Sequence, residues 1–140
     1  MPPRFDKETS SVRGNRIIFP IFDRQARVIA FGGRLIGEGE PKYLNSPETP
    51  IYSKSRTLYG LNHTKPFLRK SGFVVLVEGY FDFAQVFQEC RLPVVASCGT
   101  ALTATQVQAL KRHSENMVVN FDPDAAGSNA AERSIQMLLG

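Results

Sequence analysis

The chain has 140 residues, a hydrophobic fraction of 42% and a formal net charge of +4 at pH 7. That length holds one domain, or one domain with a small appendage, and the apolar fraction suffices to bury a core. The basic balance admits a polyanionic partner without requiring one. The N-terminus has no signal-peptide pattern, and Cys90 and Cys98 have neither CxxC spacing nor companions for a zinc site. Reduced structural thiols in a cytoplasmic protein are the expectation.

Residues 1–15 are polar and aperiodic and are expected to form a mobile leader or the end of an upstream element. Two apolar runs follow, Arg16–Phe22 and Ala26–Phe31, separated by Asp23-Arg24-Gln25 in the manner of a hairpin. Pro20 cannot donate to a strand ladder, so the first strand should have an edge or a bulge there. Gly32, Gly33, Gly37 and Gly39 interrupt the next stretch, and the prolines between Pro41 and Pro50 predict a loop. Lys54, Arg56, Lys65, Arg69 and Lys70 bring positive charge up to the next apolar run.

That run, Phe73-Val74-Val75-Leu76-Val77, has no polar partner on either face, which suits a strand covered by helices on both sides. It is too short for a membrane span. Glu78 follows directly, Gly79 permits a sharp turn, and Phe83, Val86, Phe87 and Cys90 then recur at helical spacing. Pro93–Ser97 predicts a second strand. Thr103 with Gln106 forms a capping box for a helix whose inward face holds Val107 and Leu110.

Asn116–Phe121 predicts another buried strand, which runs into Asp122-Pro123-Asp124-Ala125-Ala126-Gly127. Pro123 should hold Asp122 extended at the strand's end. If this strand lies beside the first, Glu78, Asp122 and Asp124 share a crevice at the carboxyl edge of a parallel sheet, where ligands bind. Three carboxylates there would repel one another unless a hard divalent cation neutralised them. Ser128 or Asn129 is expected to cap a last helix with Ala131, Ile135, Leu138 and Leu139 on one side. A sheet of three strands is small, so a further strand beyond Gly140 is expected.

Glu78-Gly79-Tyr80-x-Asp82, Ser97-x-Gly99-Thr100 and Asp122-x-Asp124-x-Ala126-Gly127, each after an apolar strand, resemble the Toprim fold of bacterial primases, topoisomerases and some nucleases. Phe31-Gly32-Gly33-Arg34, the run Pro41-Lys42-Tyr43-Leu44-Asn45-Ser46-Pro47-Glu48-Thr49 and Leu58-Tyr59-Gly60-Leu61 resemble the basic subdomain that precedes Toprim in DnaG-type primases. The resemblance covers the chain from about Arg16 onward. It implies an α/β fold in which a Toprim-like parallel sheet flanked by helices (73–140, C-terminally truncated) follows a small mixed, strand-rich basic subdomain (16–72).

The resemblance further implies primer synthesis. Glu78, Asp122 and Asp124 would bind Mg²⁺ or Mn²⁺ and catalyse attack of a primer 3′-hydroxyl on a ribonucleoside triphosphate. Arg34, Lys42, Tyr43, Asn45 and Lys54 would lie near single-stranded DNA template or nucleotide. Lys and Arg neutralise phosphates, and Tyr43 can stack on an unpaired base. The family's zinc-binding module and its C-terminal region for the replicative helicase are missing here, as is a later acidic segment with further metal ligands. Pro123 stands where many relatives have Gly. Competing expectations are a Toprim nuclease using the same carboxylates and a non-catalytic DNA-binding module.

Overall fold

The computed structural model describes residues 15–99 and 101–139, so Thr100 and nearly all of the expected leader lie outside the described residues. Strands β1 (Arg16–Phe22) and β2 (Val28–Leu35) pair antiparallel, as the hairpin pattern predicts. Their turn is tied by Asp23, whose Oδ1 accepts the N–H groups of Gln25 and Arg27 at 2.9 Å each. β3 (Tyr43–Asn45) pairs with the other side of β2, giving the order β1-β2-β3. β1 is thus an outer strand, where the missing N–H of Pro20 is tolerated, and its register shifts between Ile21 and Phe22. Asn15, expected in the leader, is held to the end of β2: its carbonyl accepts Ile36 N–H at 2.8 Å and its Nδ2 donates to Ile36 O at 3.1 Å.

Two local readings are corrected in this sheet. Gly32 and Gly33 do not break β2 but continue it, and Tyr43-Leu44-Asn45 is a strand rather than part of a loop. Strand pairing supplies the reason, because Gly32, Gly33 and Arg34 lie opposite Asn45, Leu44 and Tyr43. Gly32 also has to be a glycine, since a Cβ there would overlap the Tyr80 ring.

Helix α1 (Leu61–Ser71), which the charge-based reading of this stretch passed over, leads into the second sheet. It buries Thr64 and Leu68 and ends at Gly72 in the left-handed region, φ 69°. β4 (Phe73–Val77), β5 (Val94–Ala96) and β6 (Asn116–Val119) are parallel, in the order β5-β4-β6. Val74 and Leu76 pack with Leu68, Val107 and Leu110 on one face, while Val75 and Val77 pack with Phe83 on the other. Each such side chain contributes about 1.5–3 kcal/mol on burial, so the two-sided cover predicted for β4 is also what fixes its place. β6 is instead an outer strand with Val118 half exposed, which corrects the expectation of a buried one.

Helix α2 (Tyr80–Gln85) continues as a π-helical turn through Val86–Cys90, and Cys90 ends up exposed. α3 (Ala104–Lys111) has the predicted cap: Thr103 Oγ1 accepts Gln106 N–H at 3.2 Å and Gln106 Oε1 accepts Thr103 N–H at 3.0 Å. The fully buried Gln106 amide also donates to the carbonyls of Lys54 and Thr57, fastening the 53–57 loop onto the second sheet. α4 (Ala125–Leu139) begins earlier than expected, and Asp124 caps it in place of Ser128 or Asn129, its Oδ1 accepting Gly127 N–H at 2.6 Å. Its inward face is Gly127, Ala131, Ser134 and Leu138. Ile135 and Leu139 are exposed, contrary to expectation.

The two sheets meet at an aromatic joint. Phe19 of β1 stacks on Tyr80 at 4.8 Å, and Tyr59 meets Tyr80 and Phe83 edge to face at 4.7 and 5.1 Å. Tyr59 also forms an antiparallel bridge with Ala96, so the chain leaving the first sheet runs along the free edge of β5. Such ring pairs contribute about 0.5–1.5 kcal/mol each beyond their burial.

Candidate functional site

Glu78 and Asp122 come from the ends of neighbouring parallel strands. β4 pairs with β6 so that Leu76 lies opposite Val119, and Asn120 N–H still bonds Leu76 O at 2.9 Å past the end of β6. The next contact along is between the candidate residues: Asp122 N–H donates to Glu78 Oε1 at 2.7 Å. A backbone amide aimed at a carboxylate makes a charge-assisted bond, which orients Glu78 toward the Asp122–Asp124 loop.

Asp124 is anchored at the start of α4, with one carboxylate oxygen on Gly127 N–H. Gly127 allows the helix to approach the loop this closely, because a Cβ there would overlap Asp122 O. Asp122 and Asp124 are exposed and Glu78 is half-buried. Asp82 does local work: its Oδ2 accepts Gly79 N–H at 3.1 Å, closing the turn after Glu78.

The donor set suits a hard cation, since it consists of carboxylate oxygens. Glu78 and Asp124 each keep one oxygen outside the bonds just described, and Asp122 accepts no side-chain hydrogen bond among the described residues. Among those residues, no three His, Cys, Asp or Glu side chains stand together as a ready-made metal cluster. The chemistry of the set therefore fits a divalent ion better than its present spacing does.

The residues expected to meet template or nucleotide divide between the two faces of the first sheet. Arg34 and Tyr43 are directly opposite each other on β2 and β3. Arg34 Nε donates to Tyr43 Oη at 3.2 Å, and the guanidinium carbon lies 5.5 Å from the ring centres of both Tyr43 and Phe81. Phe81, two residues beyond Gly79, thus links this pair to the turn that carries Glu78. Asn45, on the same face, accepts the Tyr80 hydroxyl at 2.6 Å and joins the two sheets.

Lys42 is exposed, and its ammonium has no partner among the described residues. The opposite face bears a groove of about 600 Å³ lined by Ile18, Phe31, Gly33 and Leu44, with Asn45 and Lys54 at its rim. Sequence reasoning assigned no role to Phe81 or Tyr80. Tyr80 stood inside a quoted motif, but its partner lies 35 positions away, and Phe81 had no local signal.

Comparisons with known proteins agree with this architecture. Residues 4–65 match the model of the DNA primase catalytic core, N-terminal domain, and residues 75–140 match a Toprim-like model. The DNA primase of Synechocystis sp. is 48% identical over 124 residues, covering 87% of this chain and 20% of that protein.

Two solved structures give the same picture. The Aquifex aeolicus primase structure containing zinc-binding and RNA polymerase domains superposes with a TM-score of 0.86 at 41% identity, covering 91% of this chain and 32% of that one. A DnaG primase catalytic domain bound to single-stranded DNA superposes with a TM-score of 0.80 at 42% identity, covering 89% and 40%. The chain spans about a fifth of the length of the curated relatives it matches. With both models in the expected order and the fold shared along its described length, the chain belongs to the DnaG-type DNA primase family, as part of its catalytic core.

Proposed function

We propose that this chain carries the nucleotidyl-transfer site with which a primase makes short RNA primers on single-stranded DNA, in the cytoplasm at the replication fork. In this reading the chain divides into a basic subdomain (16–72) and a Toprim domain (73–140), and Glu78, Asp122 and Asp124 hold Mg²⁺ or Mn²⁺. The observation that carries it is the 2.7 Å bond from Asp122 N–H to Glu78 Oε1, which brings acidic residues from two strand ends to one edge.

A divalent cation held by Glu78, Asp122 and Asp124 would supply Lewis-acid chemistry, neutralising phosphate charge and making a 3′-hydroxyl more acidic. The chain's own residues bind and position. Arg34, clamped between Tyr43 and Phe81, presents a fixed positive charge near the turn that carries Glu78. Lys42 and Lys54 add positive charges for template or triphosphate, and the half-exposed Tyr43 ring offers a stacking surface. No covalent nucleophile is needed, because positioning and charge neutralisation supply most of the catalysis in phosphoryl transfer. Ribonucleoside triphosphates, template and primer are the partners at this site. Template selection through zinc and contact with the replicative helicase fall to other parts of a full-length primase.

Titrating Mn²⁺ into the wild type and into Glu78→Gln, Asp122→Asn and Asp124→Asn tests the assignment. Each substitution is expected to weaken binding at least several-fold. Equal affinity in all four proteins rejects it.

A further inference from the structure

A second cluster of charge lies along α1 and the end of α3, the two helices whose last turns meet at the other end of the parallel sheet. The carboxyl ends of α1 and α3 are fastened side by side there, with Ser114 Oγ and Asn116 Nδ2 both donating to Gly72 O at 2.9 Å. Lys65 and Arg69 lie one turn apart on α1, and Arg112 and His113 follow α3. The β1–β2 turn adds Arg24, which lines a small cleft together with Leu61 and Asn62 of α1 and Ala109 of α3.

His113 registers the crowding. Its pKa is lowered, first by burial and then by Lys65, Arg24, Arg69 and Arg112, all of them cations. Among the described residues the one ion pair is Arg27–Asp23, so none of these four cations makes a direct ion pair with a carboxylate there. Helix dipoles favour positive charge at the ends of α1 and α3, but they do not account for Arg24, which comes from another element.

We infer that Arg24, Lys65, Arg69 and Arg112 form a phosphodiester-backbone contact surface along α1 and the end of α3, separate from the carboxylate site. β4 has five residues, and at about 3.3 Å each it separates Gly72, where α1 and α3 are fastened together, from Glu78 by about 16 Å. The ligand class follows from the donors. Three of the four cations are arginines, whose planar forks match phosphate oxygens, and they come from three elements, as suits a strand of successive phosphates rather than one small anion. The surface would hold nucleic acid that extends past the reaction site and would read no sequence.

The test is binding of fluorescent single-stranded oligonucleotides to the 140-residue chain in EDTA, over a range of salt. Omitting divalent ions makes the result independent of the carboxylate assignment. Arg24, Arg69 and Arg112 are exposed, so the Arg24→Gln, Arg69→Gln, Arg112→Gln triple variant should keep the wild-type melting profile, which is checked directly. Losing three phosphate contacts should lower the slope of log K against log salt by about 2, equally for oligonucleotides of different sequence. Arg133→Gln, an exposed charge on α4, should leave it unchanged. An unchanged slope in the triple variant, or no binding by the wild type, overturns the proposal. Loss of binding to polyglutamate with oligonucleotide binding intact also overturns it, by assigning the surface to an acidic protein.

Discussion

Tyr80 donates its hydroxyl proton to Asn45 Oδ1 at 2.6 Å, across the joint between a sheet built by the first half of the chain and one built by the second. Tyr80 is 2% exposed and its ring lies flat against Phe19, so the bond is shielded from water. Removing either partner leaves the other with an unmet polar atom. Tyr80→Phe and Asn45→Ala should each cost about 1–2 kcal/mol in urea unfolding. The double variant should cost less than their sum, because the second change removes nothing further. Strict additivity would show that the bond does not hold the joint.

Two glycines leave room that a methyl group would fill. Gly32→Ala drives a Cβ into the Tyr80 ring and should destabilise by about 1–3 kcal/mol, although alanine ordinarily suits a strand no worse than glycine. Gly127→Ala meets Asp122 O in the first turn of α4 and must displace the loop that bears both aspartates. Its clearest effect should be on Mn²⁺ affinity, with a loss comparable to that of Asp122→Asn. A Gly127→Ala protein that binds Mn²⁺ like the wild type would mean that the loop's position is irrelevant to the site.

Alkaline pH should loosen the joint before it affects the rest. Burial pushes the phenols of Tyr52 and Tyr59 up to about 12, and that of Tyr80 is raised further. In the unfolded chain these groups ionise near 10. Between about pH 10 and 12 the native state therefore holds protons that the unfolded state has released, and stability falls as pH rises through that window. Melting temperature should be level from pH 7 to 8, begin to fall near 9 as the Cys98 thiol of the unfolded chain ionises, and fall faster above 10. Tyr52→Phe should reduce the decline, and a melting temperature unchanged to pH 11.5 would contradict the burial of these rings.

The two thiols should react at very different rates. Cys90 is exposed at the end of the π-helical turn. Cys98 packs against the cluster of Ile21, Tyr52 and Tyr80, and burial raises its pKa strongly. Because the thiolate is the reactive form, a disulfide reagent at pH 8 should titrate one thiol quickly and the second far more slowly. Two fast thiols would place Cys98 at the surface.

What the residues decide by themselves is short in range. The capping box of Thr103 and Gln106 needs three intervening peptide units, and the strand–Glu78–Gly79–helix transition follows from four branched apolar residues and a change of period. Both were legible for that reason, as was the hairpin of β1 and β2. The Glu78 and Asp-x-Asp motifs could be read as chemistry, but not whether their strands were neighbours.

Tertiary structure decided the remainder, because the deciding partner lies far away in sequence. β2 runs through two glycines because β3 pairs with them and Tyr80 occupies the space over Gly32. Tyr43-Leu44-Asn45 is a strand among prolines only because β2 offers it a free edge. Asp124 caps α4 because Gly127 can approach the Asp122–Asp124 loop, and the helix then turns Ser134 inward and Ile135 outward. Local propensity is worth tenths of a kcal/mol per residue, whereas pairing a strand edge or clearing a buried ring is worth whole ones. Where the two disagreed, the long-range contact prevailed.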